Sequence, residues 1–195
     1  FWIGNVGVAI DYPNRASLDL ANTVFGGRFT SMLNQELRVK AGLTYGARSL
    51  LHRHSRPGAV IISSFTETAR TIEVIEMALD ILGRLRRSGV DDDAARSARN
   101  YIMGQFPPRL ETAAQRARQF AMLEQYGLDA SYINDYGTML QEASVESIAA
   151  AIDDVYPTSE NVSFVLIGDA ASIREAVAEL GPVTEISIDE PRFRR

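Results

Sequence analysis

The stretch "GGRFTSMLNQELRVKAGLTYGARS", residues 26–49, contains a helix-period pattern between two glycine breaks. Thr30 or Ser31 is suited to cap this helix, and Gly42 is suited to end it. The apolar residues expected along one side of the helix are Phe29, Leu33 and Leu37. The stretch therefore predicts two successive helices. The first stops at Gly26–Gly27, and the second leads into a strand.

The second half of the stretch, "LRVKAGLTYGARS", places an arginine and a tyrosine seven residues apart. Arg38 and Lys40 occupy the last turn of the predicted helix, where positive charge opposes the helix dipole. From residue 43 to residue 51 the side chains alternate in character, which predicts a strand that includes Tyr45. Arg38 and Tyr45 are therefore expected on either side of a break between helix and strand.

Outward from this stretch, the hydrophobic period changes several times. "WIGNVGVAI" predicts a first strand with Trp2, Val6, Val8 and Ile10 on one face, and Leu18, Ala21 and Phe25 follow at helical spacing. The turn "HRHSRPG" joins the strand at 43–51 to the β-branched segment "AVIISSF", which predicts an antiparallel hairpin. Helices are predicted near 72–88, 91–106, 110–126, 131–140 and 145–155, with a last one capped by Asp169. "NVSFVLIGD" predicts a buried strand, and "VTEISI" a final edge strand.

This order of elements predicts an α+β fold, a mainly antiparallel sheet covered by a block of helices. No linker rich in Gly, Ser or Pro divides the chain, so we expect residues 1–195 to form a single domain. The chain starts at Phe1 rather than at a methionine, and we expect it to be excised from a longer chain.

Composition excludes several classes of protein. The net charge is -5, whereas nucleic-acid-binding domains carry a basic surplus, so no nucleic-acid partner is expected. The absence of cysteine excludes disulfides and thiolate metal sites. No apolar run approaches the roughly 18 residues that a membrane span requires. Composition leaves the compartment open, since periplasmic and cytoplasmic locations both fit.

No motif in the chain supplies a complete catalytic site. A zinc hydrolase needs about three protein ligands, and the two histidines, His52 and His54, have no carboxylate at ligand spacing. "FGGR" lacks the spacing and the Lys-Ser/Thr pair of a phosphate-binding loop. The acidic run at 91–93 could hold a hard cation, but it is more typical of a helix N-terminus. The basic clusters "GRLRRSG" and "RFRR" lack the interleaved aromatic residues of an RNA-binding surface.

The quoted stretch resembles the C-terminal, non-zinc domain of the insulinase/pitrilysin-type zinc metallopeptidases, a family that includes the mitochondrial processing peptidase. In that family a glycine pair ends a helix, a second helix starts near a serine, and an "LRxxxGLxY" element leads into a strand. The matching positions are Gly26, Gly27, Ser31, Leu37, Arg38, Gly42, Leu43 and Tyr45. "RVKAG" departs from the acidic residues more common between the Arg and the Gly. The opening strand, "DYPN", "FTETA" and "VLIGD" follow the family's order as well.

The resemblance implies a function that the chain performs only with a partner. Enzymes of this family pair a zinc-bearing domain, which carries His-x-x-Glu-His, with a homologous domain that has no zinc. By resemblance, Arg38 and Tyr45 are the substrate-binding and transition-state residues of the second kind of domain. The expected partners are a zinc-bearing domain, in the same longer chain or in another subunit, and a peptide substrate. No cofactor is expected in this domain, and zinc is expected in the partner.

Two other functions remain open at this point. The chain could belong to a catalytically inactive scaffold that resembles the core subunits of the respiratory cytochrome complex. It could also be a free-standing peptide-binding module, which is less favoured because an open sheet face would lack its cover. A pure scaffold has no chemical need for both Arg38 and Tyr45, so their presence favours the peptidase half.

Overall fold

The computed structural model describes residues 1–189 of the chain. Four strands form one antiparallel sheet, in the spatial order β2-β3-β1-β4. The strands are β1 Trp2–Val6, β2 Ala47–His52, β3 Ala59–Ser64 and β4 Ser163–Val165. Helices pack against the sheet, which confirms the predicted α+β class.

Eight α-helices account for most of the remaining described residues. They are α1 Arg15–Asn22, α2 Thr71–Ser88, α3 Asp92–Gln105, α4 Ala113–Tyr126, α5 Ser131–Asn134, α6 Tyr136–Glu142, α7 Val145–Val155 and α8 Ala170–Ala178. Two π-helical segments lie at Thr23–Gly27 and Asn34–Lys40, and short 3-10 turns at Thr68–Arg70 and Pro107–Leu110. Asp91 and Asp169 accept hydrogen bonds from backbone N–H groups of α3 and α8, as their sequence positions predict.

The hydrophobic core lies between the helices and one face of the sheet. Ile3 of β1 pairs with Ile62 of β3, and both are buried against the helices. Trp2 and Val6 share one face of β1, as predicted, but this is the face away from the core, where they are 49% and 69% exposed, and Val8 and Ile10 lie beyond the end of the strand. The segment has apolar residues at both odd and even positions, and period alone does not decide which set meets the helices.

One predicted strand begins later in the structure, and the predicted final strand at 183–188 is absent from the described residues. The strand predicted from residue 43 begins at Ala47, because the Thr44 hydroxyl accepts from the N–H of Gly46 and forms a turn before it. The segment at 183–188 lies outside regular structure, and an ion pair of Arg174 with Glu185 holds it beside α8. The basic segment "RFRR" lies outside the described residues.

The predicted helices in the second half of the chain are correct in type and less exact in their ends. The helix at 145–155 matches α7 at both ends. The predicted helix at 110–126 begins at Ala113, where Thr112 forms a capping box with Gln115. The predicted helix at 131–140 consists of two short helices that meet at Asp135.

The glycine pair of the opening stretch ends the first helix, as predicted, because the next residue, Arg28, is extended, and Gly26 also permits close packing. The helical backbone continues through both glycines as the π-helical segment Thr23–Gly27. A Cβ on Gly26 would lie 2.3 Å from the backbone nitrogen of Ser49 and 2.8 Å from Leu33 Cδ1. The Asn22 side chain donates to the carbonyl of Ser49 at 3.3 Å. Gly26 therefore lets this segment approach β2, which leads out of the Tyr45 loop.

Candidate functional site

Arg38 lies on the π-helical segment Asn34–Lys40, which ends at the turn before Tyr45. The N–H of Ala41 donates to the carbonyl of Glu36 at 3.0 Å, a bond that spans five residues. Leu37 is fully buried and anchors the segment in the core. The expected cap is absent: neither Thr30 nor Ser31 caps with its side chain, and Ser31 Oγ is buried without a partner among residues 1–189. Short π-helical segments are uncommon and are frequently found at functional sites.

The turn after Arg38 is closed by hydrogen bonds at its first residues. Gly42 adopts a φ of +63°, the left-handed conformation that favours glycine, which confirms its predicted position at the helix end. The N–H of Leu43 donates to the carbonyl of Leu37 at 2.8 Å. The Thr66 hydroxyl, at the end of the neighbouring strand β3, donates to the carbonyl of Leu43 at 2.6 Å. The turn is therefore fastened both to its own helix and to the sheet.

The loop that carries Tyr45 is fixed by polar side chains on both sides. Ser64 Oγ donates to the carbonyl of Gly46 at 3.1 Å, and the Asn34 side chain accepts from the N–H of Ala47 at 3.0 Å. The backbone next to Tyr45 is therefore held in place, while its ring is 76% exposed. A held backbone with an exposed phenol suits a group that meets a ligand or another domain.

The Arg38 guanidinium lies over two aromatic rings. Its carbon Cζ is 4.5 Å from the centroid of the Tyr45 ring and 4.8 Å from that of the Phe29 ring. Distances below about 6 Å are those of a cation–π interaction. The structure therefore brings together the two residues that the sequence singled out, and it adds a third, Phe29.

Phe29 was missed as a site residue because its sequence position predicts burial. It falls on the predicted apolar side of the helix with Leu33 and Leu37, both of which are fully buried. Phe29 itself precedes the helical turns and is 58% exposed. The prediction that it lies along the helix with these two leucines is wrong, and no local pattern distinguishes it from a core residue.

The polar atoms of Arg38 and Tyr45 remain available. Within residues 1–189, the Arg38 guanidinium forms no ion pair or hydrogen bond, and the Tyr45 hydroxyl has no partner. The neighbouring cation Lys40 differs, because it pairs with Glu36 at 3.0 Å. Guanidinium N–H groups and a phenol O–H are hydrogen-bond donors, so the pair can donate to carbonyl oxygens of a ligand.

Glu36 connects the Arg38 segment to α2. Its carboxylate accepts from Lys40 and lies 3.3 Å from a guanidinium nitrogen of Arg84. The hydrogen bond from Lys40 is the main reason that the pKa of the Glu36 carboxyl lies below its usual value. The ionised carboxylate therefore holds the π-helical segment to the helix behind it.

A groove runs beside Tyr45, between the turn after Arg38 and the start of α2. It has a volume of about 470 Å³. Its lining residues are Gly42, Leu43, Thr44, Tyr45, Phe65, Thr66, Glu67 and Arg70. A volume of this size falls in the range of ligand-binding clefts, so the exposed phenol lies at the wall of a space that a peptide side chain can enter.

The residues that the structure describes, 1–189, do not fit a zinc ion. The residues described by the structure contain no group of three or more His, Asp or Glu side chains that could hold a metal. His52 and His54 are exposed at the end of β2 and in the loop that follows. A catalytic zinc site takes three protein ligands, so no catalytic step is assigned to a metal in this domain.

No helix among residues 1–189 is long and apolar enough to cross a membrane.

Comparison with known families decides the relationship. The family model described as the peptidase M16 inactive domain matches residues 1–102, just over half of the chain. The chain belongs to this family. The resemblance to the non-zinc domain of zinc metallopeptidases, first seen in residues 26–49, is thereby confirmed.

Individual relatives agree with the family. An uncharacterized zinc protease of Mycobacterium tuberculosis is 26% identical over 140 residues, which cover 71% of this chain and 32% of the relative. The chain therefore spans about a third of the length of this curated relative. The structure of a peptidase M16 inactive domain from Pseudomonas fluorescens is 25% identical, with a TM-score of 0.75 over 80% of this chain and 37% of that one.

A chain of complex III from Candida albicans shares the fold alone. It is 13% identical, with a TM-score of 0.65 over 78% of this chain and 38% of that one. The fold of this chain therefore also occurs in a chain of complex III.

Proposed function

We propose that this chain is the supporting half of a zinc metalloendopeptidase and supplies two substrate-binding donors to an active site completed by its partner. The observation that carries the proposal is the stacked pair of Arg38 and Tyr45. The guanidinium carbon of Arg38 is 4.5 Å from the centroid of the Tyr45 ring, the polar atoms of both residues have no partner within residues 1–189, and a groove lies beside Tyr45.

The chemistry follows from the charge that peptide hydrolysis develops. Attack on the scissile carbonyl places negative charge on its oxygen, and donors aimed at that oxygen lower the barrier. The Tyr45 hydroxyl can donate one such hydrogen bond. Because its loop is fastened by Ser64 and Asn34, the donor needs little rearrangement when the charge appears.

Arg38 has a related role that begins before the reaction. Its planar guanidinium can donate to substrate carbonyls in the ground state. The guanidinium carbon lies within cation–π distance of both the Phe29 and the Tyr45 rings, and these contacts help to hold Arg38 in position. Arg38 therefore contributes to binding, and Tyr45 chiefly to the transition state.

The partner in this proposal is the zinc-bearing homologous domain. Family membership and the lack of a ligand set within residues 1–189 both support a division in which the metal belongs to the other half. The donors and the metal then meet only when the two halves close over a peptide, which makes full activity depend on domain closure.

A scaffold function is the alternative that the fold supports. The likeness to a chain of complex III shows that the fold also occurs in a large assembly. In a scaffold, the hydrogen-bonding capacity of Arg38 and Tyr45 would have no use. Their exposed, unpartnered donors beside a groove favour the peptidase half.

Complementation tests the proposal. The chain alone should cleave no peptide, with or without added zinc, and its addition to the separately produced zinc-bearing half should restore cleavage of a quenched fluorescent peptide. A zinc-bearing half that is fully active without this chain would rule out the supporting role.

A further inference from the structure

Within the proposed function, we infer that the groove beside Tyr45 is a subsite for a basic side chain of the peptide substrate, with Glu67 as its specificity-determining residue. The inference rests on the groove's charge and on its aromatic walls. It deepens the proposed function by naming the class of substrate side chain that lies next to the donor pair.

The charges at the groove leave one carboxylate in excess. Glu67 and Arg70 line it, and Glu73 lies one helical turn beyond Arg70. Arg70 Nη2 donates to Glu73 Oε1 at 2.8 Å, and Arg70 Nε donates to the other oxygen of the same carboxylate. One guanidinium therefore faces two carboxylates, and Glu67 forms no ion pair within residues 1–189.

The walls of the groove suit a long cationic side chain. Tyr45 and Phe65 both line it, and their rings are 76% and 61% exposed. Aromatic faces attract the ammonium of lysine and the guanidinium of arginine, and they pack against the methylene stems of both. An aromatic wall beside an unpaired carboxylate therefore favours Lys or Arg over an acidic or a short polar residue.

The position of the groove sets which substrate residue it holds. Tyr45 belongs both to the donor pair and to the groove wall. A peptide whose scissile carbonyl meets the Tyr45 hydroxyl therefore has a neighbouring side chain at the groove. Arg38, on the turn before it, is the positive end of the site, and Glu67 is the negative end.

The test compares peptides that differ at one position next to the cleaved bond: lysine, its uncharged analogue norleucine, or glutamate. Binding of labelled peptides is measured by fluorescence anisotropy on the full-length protein, and cleavage by kcat/KM. Wild type should favour lysine over norleucine by about fivefold, the scale of one partly exposed ion pair. The preference should weaken as salt is raised, because exposed charges are screened.

Variants assign the preference to one residue. Glu67→Gln should bring the lysine-to-norleucine ratio close to one, and Glu67→Lys should make glutamate the preferred residue. Glu76→Gln is the matched control, because it removes the same charge from an exposed position of α2 outside the groove and should leave the ratio unchanged.

The outcomes separate this inference from the function on which it rests. A lysine preference in binding without any cleavage by the assembled protein would contradict the peptidase role and leave the subsite standing. Cleavage with no lysine preference, or a preference that survives Glu67→Gln, would overturn the subsite and leave the peptidase role standing.

Discussion

Changing Tyr45 to phenylalanine tests the donor pair with the smallest perturbation that the site allows. The ring is 76% exposed, and its hydroxyl has no partner within the described residues, so the free energy of unfolding should change by less than about 0.5 kcal/mol. In the wild-type structure the Arg38 guanidinium carbon is 4.5 Å from the tyrosine ring centroid, and a phenyl ring at the same place can keep this contact. The substitution therefore removes one donor and leaves the surrounding geometry in place.

The expected loss is kinetic. Removing one donor to a developing oxyanion lowers kcat by roughly 10²–10³-fold, equivalent to about 2.7–4 kcal/mol of the barrier. KM should change less, because the hydrogen bond strengthens mainly in the transition state. Tyr45→Ala should raise KM as well, since it also removes a ring that holds Arg38.

The assay is steady-state cleavage of a quenched fluorescent peptide by the assembled enzyme, with a thermal melt of every variant. Tyr101→Phe is the matched control, because it removes a hydroxyl from another exposed tyrosine, on α3. It should leave kcat and KM unchanged. Full activity of Tyr45→Phe in the assembled enzyme would show that the tyrosine is structural and would refute the site assignment.

The remaining predictions concern binding, packing, charge and metal. Arg38→Ala should raise KM along with any fall in kcat, and Arg38→Lys should restore only part of the loss, because an ammonium lacks the planar fork; unchanged KM in the alanine variant would contradict the binding role. Gly26→Ala should lower the free energy of unfolding by about 1–3 kcal/mol, because its Cβ would lie 2.3 Å from a backbone nitrogen of β2. Gly104→Ala, where a Cβ meets nothing within 4 Å, should be neutral or stabilising in the same denaturant titration. The folded-state pKa of Glu36 lies below its unfolded value of 4.5. The ionised Glu36 therefore stabilises the folded state fully above that pH, and this stabilisation is lost as the pH falls through the folded pKa. Glu36→Gln should therefore lower stability by up to about 1 kcal/mol at pH 7, and the difference from wild type should shrink in melts below pH 4.5. Metal analysis after dialysis should find no stoichiometric zinc, and one tightly held zinc per chain would contradict the assignment of the metal to the partner.

The sequence predicts well the features that local chemistry determines. Helix α7 and the caps at Asp91 and Asp169 follow from short-range patterns, and the structure has them where the patterns place them. Which face of the first strand meets the core could not be predicted, because Trp2 and Ile3 are both apolar and only the packing of the helices buries Ile3. Period alone also predicted a strand through Tyr45, where side-chain hydrogen bonds form a turn instead.

The candidate site was likewise predictable from the sequence only in part. The family resemblance singled out Arg38 and Tyr45, and the structure brings them into contact. Phe29 and the groove residue Glu67 could not be predicted as neighbours of this pair. Their positions depend on how the π-helical segment and the end of β3 pack together, and no short-range pattern contains that information.

The most direct test of the account is a titration of the zinc-bearing half with this chain. Wild type is compared with a double variant that combines Arg38→Ala and Tyr45→Phe, and both the dissociation constant and kcat at saturation are measured. We expect wild type and the double variant to bind the zinc-bearing half equally well, and only wild type to raise kcat. A double variant that restores kcat as fully as wild type would show that the chain acts as a scaffold and that its donors take no part in catalysis.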